Sequence, residues 1–497
     1  MQKFQSVLHA IANYAMTVPE KVAIIEAESD RRCTYSELWA YVKAFSRQLI
    51  SIGVNQDSGD GYGTRVVVRC TQTVDYMVAA LAIQLAGGVF VPVEKNIAEM
   101  RIIEIMKETD SNIFISSVPL SVSDYIYISL ADATKEKVST EDKEIAFPIP
   151  DSLTHILFTT GTTGESKGIM VSQKSSTARI LAAYSACHYD DKQVLLIPAP
   201  LSHVTGLRRT YVSLFYQCTT VLLDGYVFAA SFFSAIKKYG VTVLTLMSAA
   251  TEIYLRMYRD KLEEIRGQIN YISLGGSSYP DTQIKSLKTI FNKSKIIKLY
   301  GATEIPGCSI DYTVNNCTAC CIGKPLLGIE TVFFDEQKEH IIEATKENPG
   351  LFAMKGDAKM DGYWRKPELT ASVTKEGYII LSDLGYVDGD GLLYFIGRAD
   401  DVIISGGYKV APLEIEEVAN SFKGIRESAC VAVSDPIMGQ VPKLYVVMED
   451  NYFFDFTEIH KHLKDKLETT RIPRHIEKID KIPRINNKIN RKELKNK

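Results

Sequence analysis

The feature that most constrains the fold is an alternation of short apolar runs and helical segments between residues 65 and 304. Residues 65–70 and 89–93 have the pattern of strands, and residues 74–86, apolar nearly all round, that of a buried helix. Gly87 and Gly88 follow this helix and are typical of a helix end. Such alternation predicts a mostly parallel sheet flanked by helices.

Three of these predicted strands end in loops rich in small polar residues. The loops are residues 158–168 (FTTGTTGESKG), 275–278 (GGSS) and 300–304 (YGATE). In open α/β sheets, ligands bind beyond the carboxyl ends of the strands. We therefore expect the three loops to converge on one site.

The loop at residues 158–168 has the chemistry of a polyphosphate cradle. Its glycines let backbone N–H groups approach an anion, and its hydroxyls add donors. Lys167 supplies a positive charge. The loop is not a Walker A motif, because Lys167 precedes its glycine. By itself the pattern also fits a plain flexible loop.

A chain of 497 residues is too long for one core, so two or more domains are expected. The first 60 residues, and residues 251–266, are predicted to be helical. From about residue 350 the pattern changes to short strands and turns, typical of a small α+β domain. The boundary is placed near residues 398–401, which divides the chain into residues 1–399 and 400–497.

Composition limits the classes of function. A net charge of −3 gives no general attraction to nucleic acid or anionic membrane, and no apolar run approaches the ~20 residues of a membrane span. Most of the nine cysteines stand singly among apolar residues, which indicates reduced cysteines and a cytoplasmic location. The cluster Cys317, Cys320 and Cys321 lacks a nearby partner pair to complete a zinc site, which favours a structural role.

Taken in order, these motifs resemble those of the adenylate-forming (AMP-binding) superfamily. That superfamily holds acyl- and aryl-CoA synthetases, adenylation domains of nonribosomal peptide synthetases and beetle luciferases. The resemblance runs from residue 80 to Lys488 and is nearest in motif style to acyl- and aryl-CoA synthetases. It implies an α/β fold: a large N-terminal domain of mostly parallel sheets flanked by helices, and a small mobile α+β C-terminal domain that carries the catalytic lysine.

The resemblance also implies which residues bind ATP. Catalytic roles fall to Lys488, Glu304, Thr159 and Lys167, with Mg²⁺ held at Glu304 and Thr159. The residues implied in ATP or AMP binding are Thr159, Thr160, Gly161, Thr162, Thr163, Gly164, Lys167, Gly276, Ser277, Ser278, Tyr300, Gly301, Ala302, Thr303, Asp383 and Arg398. The chain departs from the family pattern at Ser166, Ser382 and Asn487, where proline, glycine and glycine are usual.

For the acyl group and CoA the implied residues are fewer. Asp400 matches the hinge of the C-terminal domain, and Gly406 and Gly407 the pantetheine tunnel; Lys409 stands where many relatives have asparagine. The acyl pocket is assigned to His203, Val204, Gly206, Leu246, Met247, Gly275 and Ile305. His203 also fits a structural histidine.

The function implied is ATP-dependent activation of a carboxylic acid to acyl-AMP, followed by transfer to CoA, with ATP, Mg²⁺ and CoA as cofactors. Two alternatives stay open: loading of a carrier-protein phosphopantetheine, and a non-catalytic nucleotide-binding protein. The acid itself is aryl, aliphatic or dicarboxylic. Arg208 and Arg209 would suit a second carboxylate, but adjacent arginines at a helix start are more often surface charges.

Overall fold

The computed structural model of the chain describes residues 4–136, 145–160, 166–226, 228–275, 279–315, 317–318, 320–405, 408–485 and 488–496. Within these ranges, only the backbone is described for Thr160, Tyr408, Lys409, Thr470, Ile485 and Lys488. None of the described helices has the length and apolar character needed to cross a membrane.

Strands and helices alternate through the first 301 residues, as the sequence predicts. The elements are α1 Val7–Thr17, β1 Val22–Glu26, β2 Arg32–Thr34, α2 Tyr35–Ser51, β3 Arg65–Arg69, α3 Val74–Leu85, β4 Val89–Val93, α4 Glu99–Glu108, β5 Ile113–Ser116, β6 Ile126–Ser129, β7 Leu153–Thr160, β8 Ser166–Ser172, α5 Gln173–Cys187, β9 Val194–Ile197, α6 Val204–Phe215, β10 Thr219–Leu222, α7 Ala229–Tyr239, β11 Val243–Leu246, α8 Ser248–Met257, α9 Arg259–Ile265, β12 Tyr271–Leu274, α10 Asp281–Ile290 and β13 Lys295–Gly301.

The rest of the chain is richer in short strands. These elements are β14 Pro306–Asp311, β15 Cys321–Pro325, β16 Glu330–Phe334, β17 Ile341–Ile342, β18 Gly350–Lys355, β19 Gly362–Tyr363, α11 Pro367–Val373, β20 Thr374–Lys375, β21 Tyr378–Val387, β22 Leu393–Arg398, β23 Ile403–Ser405, β24 Tyr408–Val410, α12 Pro412–Asn420, β25 Ile425–Asp435, β26 Gly439–Met448, α13 Phe456–Lys464, β27 His475–Lys478, β28 Arg484–Ile485, β29 Lys488–Ile489 and α14 Arg491–Lys495.

Two helix predictions are wrong. The first 60 residues contain β1 and β2 besides α1 and α2. β1 owes its conformation to β10, since Ile24 pairs with Thr220 far along the chain, and no local pattern reveals such a partner. Residues 251–266 form parts of two helices, because Tyr258, at φ −136°, leaves the helical region between α8 and α9.

Three sheets of five or more strands organise the described chain, and β28 and β29 form a separate two-stranded sheet. In the largest, β1, β10, β9, β11, β12 and β13 are parallel, and β14 and the strands beyond it continue the sheet in antiparallel pairing. In the second, β6, β5, β3, β4 and β7 are parallel, followed by antiparallel β8 and β19. The third sheet begins at β23. The predicted α/β fold, with a large N-terminal and a small C-terminal part, is confirmed.

Every residue of helix α3 is buried apart from Asp75 at its start. Gly87, at φ +80°, turns the chain out of the helix, and a Cβ on Gly88 would lie 2.6 Å from Val54 Cγ1. The neighbouring helix α2 starts with a capping box, in which Thr34 and Glu37 bond each other's backbone N–H. These local features hold the first part of the chain against the core.

Candidate active site

Strands β7 and β8 form an antiparallel hairpin, and the predicted phosphate loop, residues 158–168, includes the end of β7 and the start of β8. Thr159 pairs with Lys167, and Thr160 with Ser166. The hairpin therefore brings Lys167 back beside the end of β7. The predicted residues Gly161, Thr162, Thr163 and Gly164 lie outside the described residues.

One tyrosine connects Lys167 with Glu304. The Lys167 Nζ lies 5.5 Å from the ring centre of Tyr363, and the Tyr363 hydroxyl donates to Glu304 Oε1 at 2.9 Å. Tyr363 reaches this position because β19 pairs with β8, opposite Ile169. Burial and the Glu304 carboxylate raise the pKa of Tyr363, so the phenol keeps its proton at neutral pH.

Arg179 on α5 holds the turn that carries Glu304. The turn is closed by a hydrogen bond from Ala302 N to Ile305 O at 2.9 Å. The Arg179 guanidinium donates to Thr303 O at 2.7 Å and to Glu304 O at 2.9 Å. Burial lowers the pKa of Arg179 to about 10, which leaves it charged at neutral pH.

Tyr300, Asp383 and Arg398 meet on one side of this turn. The Tyr300 hydroxyl donates to Asp383 Oδ2 at 2.6 Å, and Arg398 Nε lies 3.7 Å from Asp383 Oδ1. Asp383 and Arg398 are directly paired across β21 and β22. Burial, followed by the Asp383 charge, raises the pKa of Tyr300. Three predicted nucleotide residues that are distant in sequence thus form one contact group.

Gly301 lies against the following strand. A Cβ on Gly301 would meet Gly307 N at 2.8 Å and Pro306 Cα at the same distance. Since this contact is with backbone, only a residue without a side chain fits at the end of β13.

His203 caps the start of α6. Its Nε2 lies 3.3 Å from Glu94 Oε1, and this contact with His203 lowers the pKa of Glu94. Val204 and Gly206 follow in the first turn. A Cβ on Gly206 would lie 2.3 Å from Pro200 O, so the helix can approach this loop only with glycine here.

The other predicted acyl residues are divided between strand ends and core. Met247 follows β11 and Gly275 follows β12, and these two strands are parallel neighbours. The Tyr279 hydroxyl donates to Leu246 O at 2.7 Å. Leu246 and Ile305 are buried in two separate hydrophobic clusters. Gly276, Ser277 and Ser278 lie outside the described residues.

Arg209 is buried and Arg208 is half-buried, so neither is the fully exposed surface charge that the sequence favours. Arg209 is 7% exposed, and its Nη2 donates to Ser273 Oγ at 2.8 Å. Arg208 lines a small cavity with Val204 and Arg179. Burial and the two neighbouring arginines lower the pKa of Arg208 to about 9.

The residues predicted for the pantetheine tunnel and for catalysis fall, in sequence, in or next to two pairs of short C-terminal strands. Pairing of Ser405 with Tyr408 encloses Gly406 and Gly407, which lie outside the described residues. Pairing of Ile485 with Lys488 joins the second pair of strands, and the Lys488 side chain likewise lies outside the description.

Arg491 ties the second pair of strands to the C-terminal sheet. Its Nη2 donates to Glu416 Oε2 at 3.0 Å, and its Nη1 to the backbone oxygen of Cys430. Its Nε lies 3.5 Å from Asp401, next to the predicted hinge residue Asp400, which is exposed.

Polar contacts between described residues join the C-terminal elements to the rest. The Cys320 thiol donates to Glu417 Oε1 on α12 at 2.9 Å, close to Lys298, which is 6% exposed. Arg256 Nη2 lies 2.8 Å from Glu449 Oε2. Burial raises the pKa of Glu417 to about 7.

The chain was compared with known protein families. A family described as AMP-binding enzyme matches residues 11–364, and the AMP-binding enzyme C-terminal domain matches residues 414–488. The chain belongs to the AMP-binding enzyme family. The predicted membership of the adenylate-forming superfamily is confirmed.

Relatives of this AMP-binding enzyme extend over its whole length. A 2-succinylbenzoate–CoA ligase of Bacillus cereus (strain AH820) is 26% identical over 97% of this chain and 96% of its own. One of Bacillus licheniformis is 24% identical over 97% and 98%. Among solved structures, ATP-bound MatB from Rhodopseudomonas palustris has a TM-score of 0.87 at 22% identity, covering 98% of each chain. MenE from Bacillus subtilis with the intermediate OSB-AMP has 0.83 at 23%, covering 98% and 97%.

Sequence motifs missed two residues of this AMP-binding enzyme's candidate site. Arg179 lies inside α5 and Tyr363 in a two-residue strand, and each acts on a loop far away in sequence. An arginine on the helix that directly follows the phosphate hairpin was the available signal for Arg179. For Tyr363 the signal was its position beside Trp364, one of only two tryptophans.

Proposed function

We propose that this enzyme activates a carboxylic acid with ATP and transfers the acyl group to the thiol of coenzyme A. It would thus be an AMP-forming acyl- or aryl-CoA ligase acting on a small-molecule acid. Family membership and the CoA-ligase relatives support this activity and its use of ATP, Mg²⁺ and CoA. Within the structure, the contact from Lys167 through Tyr363 to Glu304 carries the proposal, because it joins the phosphate hairpin to a carboxylate.

In the first step, an oxygen of the acid attacks the α-phosphorus of ATP, and pyrophosphate leaves. The protein's contribution is positioning and charge stabilisation. Lys167 and Thr159 would hold the departing phosphates. Lys488 would neutralise charge that develops between the acid and the α-phosphate. Tyr300, Asp383 and Arg398 would bind the nucleoside, with the Asp383 carboxylate accepting from ribose hydroxyls.

Glu304 fits a magnesium ion that is held mainly by nucleotide phosphates. Its carboxylate has one oxygen bonded to Tyr363, and Mg²⁺ prefers one or two carboxylates together with phosphate oxygens. Mg²⁺ at Glu304 and Thr159 would offset phosphate charge.

In the second step, the CoA sulfur attacks the acyl carbon, the thiol proton is lost and AMP leaves. We propose residues 1–399 and 400–497 as the two domains, with rotation about Asp400 bringing Gly406 and Gly407 to a pantetheine tunnel. We also propose a cytoplasmic location, which the free buried cysteines favour.

The test measures pyrophosphate release with a panel of aliphatic, aromatic and dicarboxylic acids, then AMP and thioester formation with CoA. Lys488→Ala should lower the rate of adenylation by about a hundredfold or more, while ATP still binds. Lys492→Ala is the matched control, since Lys492 is an exposed lysine on the adjacent α14.

Equal loss in both lysine variants, or near-normal acyl-AMP formation in Lys488→Ala, would refute the role of Lys488. If every accepted acid gives acyl-AMP but no CoA thioester, the CoA assignment fails. A phosphopantetheinylated carrier protein would then be tested as the acceptor.

A further inference from the structure

We infer that the acid carries a second carboxylate, and that Arg208 and Arg209 on α6 bind it. This inference rests on the proposed function, since it assigns a substrate class to the same acyl pocket. It also assigns a binding role to two arginines that the sequence pattern favours as surface charges.

The first argument is charge without a counter-charge. Both Nε atoms are shielded from solvent and have no hydrogen-bond partner among the residues that the structure describes. Among the described residues, no Asp or Glu forms an ion pair with Arg208 or Arg209. Arg209 is buried and Arg208 is half-buried. Their adjacent positive charges repel each other, and a charge that is shielded from water without a partner is unfavourable. A bound anion would remove that penalty.

Arg179 provides an internal comparison. It is buried in the same region, but its Nη atoms donate to the carbonyls of Thr303 and Glu304. Its charge and donors therefore serve the fold. Arg209 has one such bond, to Ser273, and Arg208 has none in the described part of the chain.

Location points to the acid rather than the phosphates. The Arg209 Nη2 lies 3.1 Å from the position of a Cβ on Gly275, at the end of β12. Arg208 shares its cavity with Val204, one turn after His203. Both arginines are thus on the helix that carries the predicted acyl residues, whereas the predicted phosphate residue Lys167 lies on β8.

The chemistry selects a carboxylate. A guanidinium presents a planar fork of N–H donors that matches a carboxylate in two parallel bonds. A monocarboxylic acid of the same shape would enter the pocket and leave both charges unpaired. Sites that reject an analogue for lack of a partner discriminate strongly for this reason.

The experiment compares acids that differ only in the second carboxylate. Suitable pairs are glutarate with its monoamide, and 2-succinylbenzoate with 4-oxo-4-phenylbutanoate. In the wild-type enzyme, kcat/KM for pyrophosphate release should favour the diacid of the accepted pair by about 30-fold or more, as for loss of one partner of a buried charge pair. In Arg208→Met and Arg209→Met, kcat/KM for the diacid should fall while kcat/KM for the monoacid stays unchanged, so the preference is lost. Arg209→Lys should retain part of the preference.

Arg259→Met is the control, because Arg259 is exposed on α9 and pairs with Glu263 in its own helix. Melting temperature supplies a readout that does not need turnover. The accepted diacid should raise the melting temperature of the wild type but not of Arg208→Met, while the ligand-free variant melts no lower than the wild type.

Equal use of the monoacid and the diacid would overturn the inference. So would equal losses for both acids in Arg208→Met and Arg209→Met, or a melting shift from ATP alone that these variants abolish. If no acid releases pyrophosphate, the proposed function fails instead, and the diacid-dependent melting shift still decides whether Arg208 and Arg209 bind a second carboxylate.

Discussion

At the scale of single residues, the phenol of Tyr363 connects two charged groups that the sequence places in separate motifs. Its hydroxyl donates to Glu304 and its ring lies beside Lys167. The phenol therefore fixes the carboxylate proposed for Mg²⁺ relative to the lysine proposed for the phosphates. Neither motif alone sets that distance.

Tyr363→Phe keeps the ring beside Lys167 and removes the donor to Glu304. We expect kcat/KM for MgATP to fall about tenfold or more, since hydrogen bonds to charged groups contribute about 1.5–3 kcal/mol. Pyrophosphate release at varied MgATP measures this. Tyr452→Phe, on an exposed tyrosine, is the control. Wild-type kinetics in Tyr363→Phe would show that the phenol does not position Glu304.

Motif patterns predict residues that act through their own loop. Asp383 and Arg398 were identified in this way and do meet Tyr300. Arg179 and Tyr363 were not, because each acts through tertiary contacts with a turn more than 50 residues distant. The burial of Arg209 was missed for the same reason, since its partner Ser273 lies on β12.

At the scale of elements, α6 carries the two arginines of the candidate acyl pocket, and His203 directly precedes it. Its close approach to the preceding loop depends on Gly206, whose Cβ position is 2.3 Å from Pro200 O and 2.6 Å from Ala199 O. Backbone atoms cannot yield as a flexible side chain does. The position of α6, and with it the pocket, therefore follows from one glycine.

Gly206→Ala should displace α6 and reduce the free energy of unfolding by about 1–3 kcal/mol, as for other overpacked sites. Gly267→Ala is the control, because its Cβ would meet nothing within 4 Å, and it should change stability by less than about 0.5 kcal/mol. Denaturant unfolding of both variants compares them. Equal stability would mean that α6 does not depend on this contact.

Element predictions held where the pattern was local. The apolar helix α3 and its glycine end were both predicted correctly. The strands β1 and β2 were missed because each is only three to five residues long and depends on pairing with a distant partner. Short apolar runs do not by themselves distinguish helix from strand.

At the scale of the whole molecule, the contact of Glu417 with Cys320 joins the C-terminal elements to β15 and its preceding loop. Burial raises the pKa of Glu417 from 4.5 to about 7. Facing it are Lys298, Asp281 and Cys320, with Glu414 on its own helix. When the C-terminal elements are docked, Glu417 therefore keeps a proton at a pH at which it would lose that proton if these elements separated.

For a carboxyl group with a raised pKa, this contribution is fully present below about pH 4.5 and is lost as pH rises through about 7. We expect the nucleotide-free enzyme to expand between pH 5.5 and 8, as measured by small-angle X-ray scattering. Glu417→Gln should remove that dependence, and Glu263→Gln, on exposed α9, should not. The same pH profile in Glu417→Gln would contradict the prediction.

The Cys320 thiol that donates to Glu417 is also a natural chemical reporter. Among the described cysteines only Cys317 and Cys320 are half-buried, and the other seven are buried. A maleimide would therefore have few competing targets in the folded enzyme. Because α12 covers Cys320, the rate of its alkylation follows how often the C-terminal elements leave this position. Domain rearrangement during turnover is thereby open to timing by mass spectrometry without an introduced label.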